Sequence, residues 1–143
     1  MVLTLDRLNF ELNELKSFKK SFNNLKRAYV EINDEAETFK ENNKTIINTL
    51  SNIYEMAFND SSKTRHIRNY GDLYLPLYIG LVNKYNMLIR KKISTEETKK
   101  FCLSMEQVSS TLVEHFKAKY NSMVNDDVVY DDATIKALLN SIK

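Results

Sequence analysis

The sequence predicts an all-α protein, built as elongated antiparallel helical hairpins or a four-helix bundle with a short C-terminal helix. Three observations carry that prediction. Glycine and proline are scarce: Gly71, Gly80 and Pro76 are the only ones in 143 residues. A sheet protein of this size needs many tight turns, and those draw on glycine, proline or Asn-Gly pairs. Apolar residues recur in steps of three and four, the period of a helix with one buried face. Capping signals stand where that period is interrupted. With 43% hydrophobic and 28% charged residues, the chain is long enough for one globular domain over 1–143.

The first helix is read from Leu5, Leu8, Leu12, Leu15, Phe18, Phe22, Leu25, Tyr29 and Ile32, a single stripe between polar residues. Such a heptad-like, coiled-coil stripe packs equally well within the chain or against a second copy, so a homo-oligomer stays open. Asn33-Asp34 interrupts it. Asp34 with Glu37 reads as an N-cap with its capping-box partner. The second helix then carries Ala36, Phe39, Ile46, Ile47, Leu50, Ile53, Tyr54, Ala57 and Phe58. Because the stripe crosses the junction almost in register, the sequence leaves both a turn and a bend open there.

Asn59-Asp60-Ser61-Ser62 reads as a loop. A third helical region follows from about Lys63 to Lys92, with Ile67, Tyr70, Leu73, Tyr74, Leu77, Tyr78, Leu81, Val82, Tyr85, Leu88 and Ile89 on its apolar side. Proline removes a backbone donor and clashes with the preceding turn, so a kink or restart is expected near Leu75-Pro76. Ser94-Thr95-Glu96-Glu97 is a second capping box. It opens a fourth helix with Phe101, Met105, Val108, Leu112, Phe116, Tyr120 and Met123 facing the core. Asn125-Asp126-Asp127 is expected to end that helix. Asp131 or Asp132 would then cap a short last one bearing Ile135, Leu138, Leu139 and Ile142. Helices of nearly thirty residues span roughly 40 Å each, hence an elongated shape.

Chemistry is harder to find. A net charge of +2 is too small to imply a polyanion partner. Cys102 stands alone, which excludes an intramolecular disulfide and suits a reducing compartment. No apolar run approaches the roughly 20 residues that cross a bilayer. The opening segment, with Asp6, Glu11 and Glu14, does not read as a signal or transit peptide, so the cytoplasm is the expected location. His66 sits among Lys63, Arg65 and Arg68, which repel a metal ion, and His115 neighbours Phe116. Neither a HExxH pattern nor paired cysteines occur.

Asp126, Asp127, Asp131 and Asp132 place four carboxylates within seven residues, donors of the kind that hold calcium or magnesium. They lack the glycine and terminal glutamate of an EF-hand, and helix-end capping explains their placement without a metal. No metal or cofactor is therefore assigned. No nucleophile elbow, Walker loop or dinucleotide-binding glycine pattern is present, so nothing in the sequence argues for an enzyme. Cys102 beside Phe101 reads as a small core residue.

The basic groups are Lys16, Lys19, Lys20, Lys26 and Arg27, then Lys63, Arg65 and Arg68, then Arg90, Lys91 and Lys92. Acidic residues are interspersed along the chain, which disfavours nucleic acid; contact with a membrane surface stays open, and solvated helix faces suffice. Tyr70, Tyr74 and Tyr78 recur every four residues, with Tyr85 on nearly the same side. An apolar ring with a polar tip suits the edge of a core or a strip that binds a protein partner.

One segment carries a family resemblance. Arg68-Asn69-Tyr70-Gly71-Asp72-Leu73-Tyr74-Leu75-Pro76, continuing to Leu81-Val82-Asn83-Lys84-Tyr85, resembles the YLP…L…KY segment of the XpaC family. Members of that family are labelled 5-bromo-4-chloroindolyl phosphate hydrolysis proteins. The order of the rest is similar from about residue 11 to 143: a basic first helix, a break near Asn33, a helix ending at Phe58, and the pairs Asp126-Asp127 and Asp131-Asp132. The resemblance implies a helical bacterial protein associated with toxic-anion (tellurite-type) resistance proteins of the TelA kind. It transfers no active-site residue. Many members begin with a membrane-spanning hairpin, which this sequence does not show. The resulting expectation is a cytoplasmic, non-enzymatic module that works by protein contact. Its rivals are a membrane-surface or nucleic-acid binder and a phosphate-ester hydrolase.

Overall fold

The computed structural model describes residues 2–141, with side chains except at residues 2–4 and 130, so Ile142 lies outside the described residues. Every regular element among them is helical: α1 (Val2–Val30), α2 (Glu37–Asn59), α3 (Leu75–Arg90) and α4 (Glu96–Ser141). A 3-10 turn (Ser61–Ile67) and a π-turn (Tyr70–Tyr74) join α2 to α3. The chain is all-α, as its periodicity predicts, and none of these helices is long and apolar enough to cross a membrane.

Asn33-Asp34 is a true turn. The Asn33 side chain accepts the Glu35 N–H at 2.8 Å, and α1 and α2 pack back on each other as a hairpin. The expected cap is displaced: Ala36 occupies the N-cap without a side-chain bond, while Asp34 pairs with Lys40. An Asx turn at Asn33 shifts the helix start by two residues and leaves Asp34 outside it. From α1, Leu15, Phe18, Phe22 and Leu25 are buried, and from α2 Phe39, Ile46, Leu50, Ile53 and Ala57. Leu5, Leu8, Leu12 and Phe58 keep the helical period but stay exposed, against expectation.

The four helices form a ring in the order α1–α2–α4–α3. Contacts fix their directions. Gly71 lies against Ser17 and Asn86 donates to the Ala28 carbonyl at 2.9 Å, so α3 runs parallel to α1. Asn42 donates to Ser109 at 3.0 Å and Lys63 to the Met123 carbonyl at 3.1 Å, so α4 runs parallel to α2. Tyr70 meets Phe116 and Lys84 meets Phe101, so α3 and α4 are antiparallel. Two antiparallel hairpins are thus laid side by side. Across the middle, Tyr78 donates to Asn43 Oδ1 at 2.7 Å, and the Phe39 and Tyr85 rings lie 4.2 Å apart.

The expected restart at Leu75-Pro76 is present, though the region before it is not α-helical. Asn69 adopts a left-handed conformation (φ 65°), and Glu14 accepts its N–H at 3.2 Å. The Leu75 N–H then reaches the Tyr70 carbonyl, a π-type bond. Pro76 falls in the first turn of α3, where a missing N–H leaves no helical bond unmade.

The largest departure is α4. The helix expected to stop at Asn125-Asp126-Asp127 runs unbroken to Ser141, about 69 Å at 1.5 Å per residue. Thr95, not Ser94, caps its start, accepting the Thr98 N–H at 3.2 Å. Asp131 and Asp132 are helix-interior residues and cap nothing. Aspartate is a poor helix former, but only glycine or proline interrupts a helix firmly, and α4 contains neither. Inside the core, Met105, Val113, Phe116 and Met123 are buried, whereas the expected Val108 is exposed and Ser109 takes the inward position.

Candidate interaction surface

The four tyrosines do not form one strip. Tyr70, Tyr78 and Tyr85 are core residues, and Tyr74 alone is exposed, at 53%. Burial pushes the Tyr70 hydroxyl up to about 12, with a smaller contribution from Tyr74. Burial, with smaller effects of Cys102 and Glu106, pushes Tyr85 up to about 12 as well. Tyr78 is raised by burial although its bond to Asn43 works the other way. A four-residue step rotates about 40° per repeat on a helix, so a tyrosine ladder drifts from the exposed side to the core. The π-turn adds a further offset at Tyr70–Tyr74.

What α3 shows outward is aliphatic. Leu73, Leu77 and Leu81, four residues apart, are exposed beside Tyr74, with Leu77 at 62%. Helical spacing puts Leu77 and Leu81 on the side of α3 that borders α4, following Tyr74 at the end of the π-turn. It likewise puts Phe101, Val108 and Leu112 on the side of α4 that borders α3. The seam is closed at its ends by Tyr70 against Phe116 (5.8 Å) and by Lys84 over Phe101 (5.7 Å). Between these ends α3 and α4 touch more sparingly than α2 and α4 do, so the aliphatic row is left uncovered. Exposed Leu73 and Leu81 were legible only as core residues, because period alone does not say which of two apolar edges is covered.

The acidic residues are held by different partners and do not converge on one point. Asp126 receives Arg65 at 3.1 Å and His66 at 3.0 Å, and these partners, His66 first, hold its carboxyl below the usual range. Asp127 takes the buried Lys63 ammonium at 2.7 Å, and Asp132 pairs with Lys136 at 3.1 Å. Asp131 is exposed on the same helix. Among the described residues, no group of three or more His, Cys, Asp or Glu side chains stands in a metal-holding arrangement. These charges fasten the 3-10 turn to α4. Lys63 also lines an open cleft with Glu55, Asp60 and Tyr120.

That clamp is testable. Lys63→Ala is expected to cost about 2 kcal/mol, the loss of a charge-assisted buried bond with one partner half-exposed. Lys63→Met should cost less because it keeps the apolar stem. Urea denaturation measures both, and hydrogen exchange should quicken at the Met123–Asp127 amides in the alanine variant.

The remaining candidates are placed as follows. His115 is exposed and lies edge-on to Phe116. Cys102 is half-buried against the core, and burial, then Glu106, raises its thiol. Lys16, Lys19, Lys20, Lys26 and Arg27 all point outward from α1. No acidic residue lies between Leu15 and Val30, so the interspersed acids fall outside this stretch. Lys19 and Lys26 rest on the Phe22 ring at 5.8 and 5.3 Å. No family model, curated protein or solved structure matches this chain.

Proposed function

We propose that this chain is a non-enzymatic helical module that works by protein contact, receiving an amphipathic helix of its partner along the α3–α4 seam. The exposed row Leu73, Leu77 and Leu81 beside Tyr74 carries the reading. Anchors one helical turn apart are what a helix laid in a groove engages. A tyrosine at the rim supplies a large apolar contact with a polar tip. The resemblance of the Tyr70–Tyr85 segment to XpaC supports a TelA-like toxic-anion resistance protein as the partner, with the module acting in the cytoplasm.

A photo-crosslinking residue at Leu77, compared with one at Asn48 on the outer side of α2, tests this against a purified TelA-type protein. The expected result is a crosslink from Leu77 and none from Asn48. Leu77→Asp should weaken binding at least about tenfold, equal to roughly 1.4 kcal/mol, with helicity unchanged. Equal labelling at both positions, or none at either, contradicts the proposal.

The outward cations of α1 support a second reading, contact with an anionic membrane surface. Five basic residues within 12 positions, unopposed by acids, give a face of one sign. Flotation with anionic vesicles should then fall steeply with salt and disappear in Lys16→Glu/Lys20→Glu. Salt-independent flotation, or none, removes this reading.

A further inference from the structure

Two helical arms leave the bundle at the same end, and Leu5, Leu8 and Leu12 on one and Val128, Ile135, Leu138 and Leu139 on the other stay exposed among the described residues. The turn between α2 and α3 is gripped on one side by α1, through Arg68 over Phe10 (5.5 Å) and Asn69 to Glu14 (3.2 Å). On the other it is gripped by α4, through Lys63 to Met123 and Arg65 to Asp126, both at 3.1 Å. Beyond this joint, α1 continues toward Leu5 and α4 toward Ser141. Phe18 and Phe116 both pack on the Tyr70 ring, at 6.2 and 5.8 Å, which sets the two helices level. Thirteen residues separate Leu5 from Phe18 and Phe116 from Val129, so the leucines of α1 lie level with the start of the α4 arm.

Both arms are striped. Leu5, Leu8 and Leu12 on α1 are exposed, as are Val128, Ile135, Leu138 and Leu139 on α4, with Leu138 at 60%. Every described side chain from Val128 to Ser141 is exposed, and the Lys136–Asp132 and Ser141–Leu138 bonds stay within the helix. This arm prolongs a packed helix yet leaves its apolar stripe in water, where covering it is favourable.

We infer that the cover is a second copy of this chain, the two copies joined end to end with their α4 arms antiparallel about a twofold axis. Charge selects that occupant and direction. Along the arm, Asp131 and Asp132 come first and Lys136 follows. An antiparallel mate places Lys136 of each copy beside Asp131 and Asp132 of the other, whereas a parallel mate sets like charges together. With the arms fully overlapped, Leu138 and Leu139 of one copy come level with Leu5 of the other. A stable specific dimer buries about 1,200 Å² or more in total, which the aliphatic rows of two copies, with the helix stems beside them, have to supply.

Sedimentation equilibrium between about 1 and 100 µM tests the inference. The expected result is a reversible monomer–dimer equilibrium for the whole chain, unchanged by Leu77→Asp in the α3–α4 seam. Ile135→Asp/Leu138→Asp should leave only monomer. Lys136→Glu should weaken the dimer at least about tenfold. Adding Asp131→Lys and Asp132→Lys to it should restore association. A monomer across the range overturns the inference, whether or not it binds anionic vesicles. A dimer indifferent to the arm variants, or an assembly larger than two, does the same.

Discussion

Gly71→Ala is expected to destabilise the fold by about 3 kcal/mol or more. A Cβ at Gly71 would stand 2.2 Å from the Ser17 carbonyl carbon and 2.3 Å from the Phe18 nitrogen. Both are backbone atoms in the middle of α1, so relief requires moving a helix and not turning a side chain. The Gly71 carbonyl also accepts the buried Ser21 hydroxyl at 2.6 Å, a bond that any displacement breaks. Gly80 provides the contrast. It is exposed in α3, and a Cβ there meets nothing within 4 Å. Gly80→Ala should therefore stabilise by about 0.5–1 kcal/mol, the ordinary gain of alanine over glycine inside a helix. Urea midpoints of the two variants should move in opposite directions; a shift of the same sign would place the π-turn somewhere other than against α1.

Phe18→Ala should cost about 4 kcal/mol, within the range for emptying an aromatic site in a packed core. Phe18 is fully buried, and its ring lies 5.5 Å from Tyr54 and 6.2 Å from Tyr70. It therefore joins α1, α2 and the π-turn at one point. Phe58→Ala is the matched control: this ring is largely exposed and touches Tyr54 at 5.9 Å. Its loss should be below about 1 kcal/mol. Similar losses for the two phenylalanines would mean that α1 is not seated on α2 as described.

What the sequence showed depended on length and period. The helices α1 and α2 were legible because many residues repeat the same period, and the restart at Pro76 because proline lacks the backbone donor. The loop expected at Asn59–Ser62 shrinks to Asp60, between the end of α2 at Asn59 and the 3-10 turn that begins at Ser61. Single-residue signals failed where a neighbour competed. Asp34 looked like a cap, but Asn33 closed the turn first and Lys40 claimed the carboxylate. Asn125-Asp126-Asp127 looked like a helix end, yet Lys63, Arg65 and His66 hold two of those carboxylates from outside the helix. Those partners lie some sixty residues away in sequence, which no local pattern reports.

The surface was the least legible part. Period marks a face as apolar without saying whether another helix covers it, so Leu8, Leu77 and Leu138 carry the same signature as Leu25, Val82 and Phe116. Only the order of helices around the ring separates them. That order places α3 between α1 and α4, and α3 is too short and too sparingly met by α4 to hide its outer leucines. The π-turn, invisible to a helical period, rotates Tyr70 inward and Tyr74 outward.

On the proposed reading, contact runs through the outer side of α3 and not through a tyrosine ladder. Mild nitration of the native protein, mapped by mass spectrometry, tests it most directly. Tyr74 should be modified while Tyr70, Tyr78 and Tyr85 are spared until the protein is unfolded, and a bound partner should protect Tyr74. Modification of Tyr70, Tyr78 or Tyr85 at the rate of Tyr74 in the folded protein would contradict it.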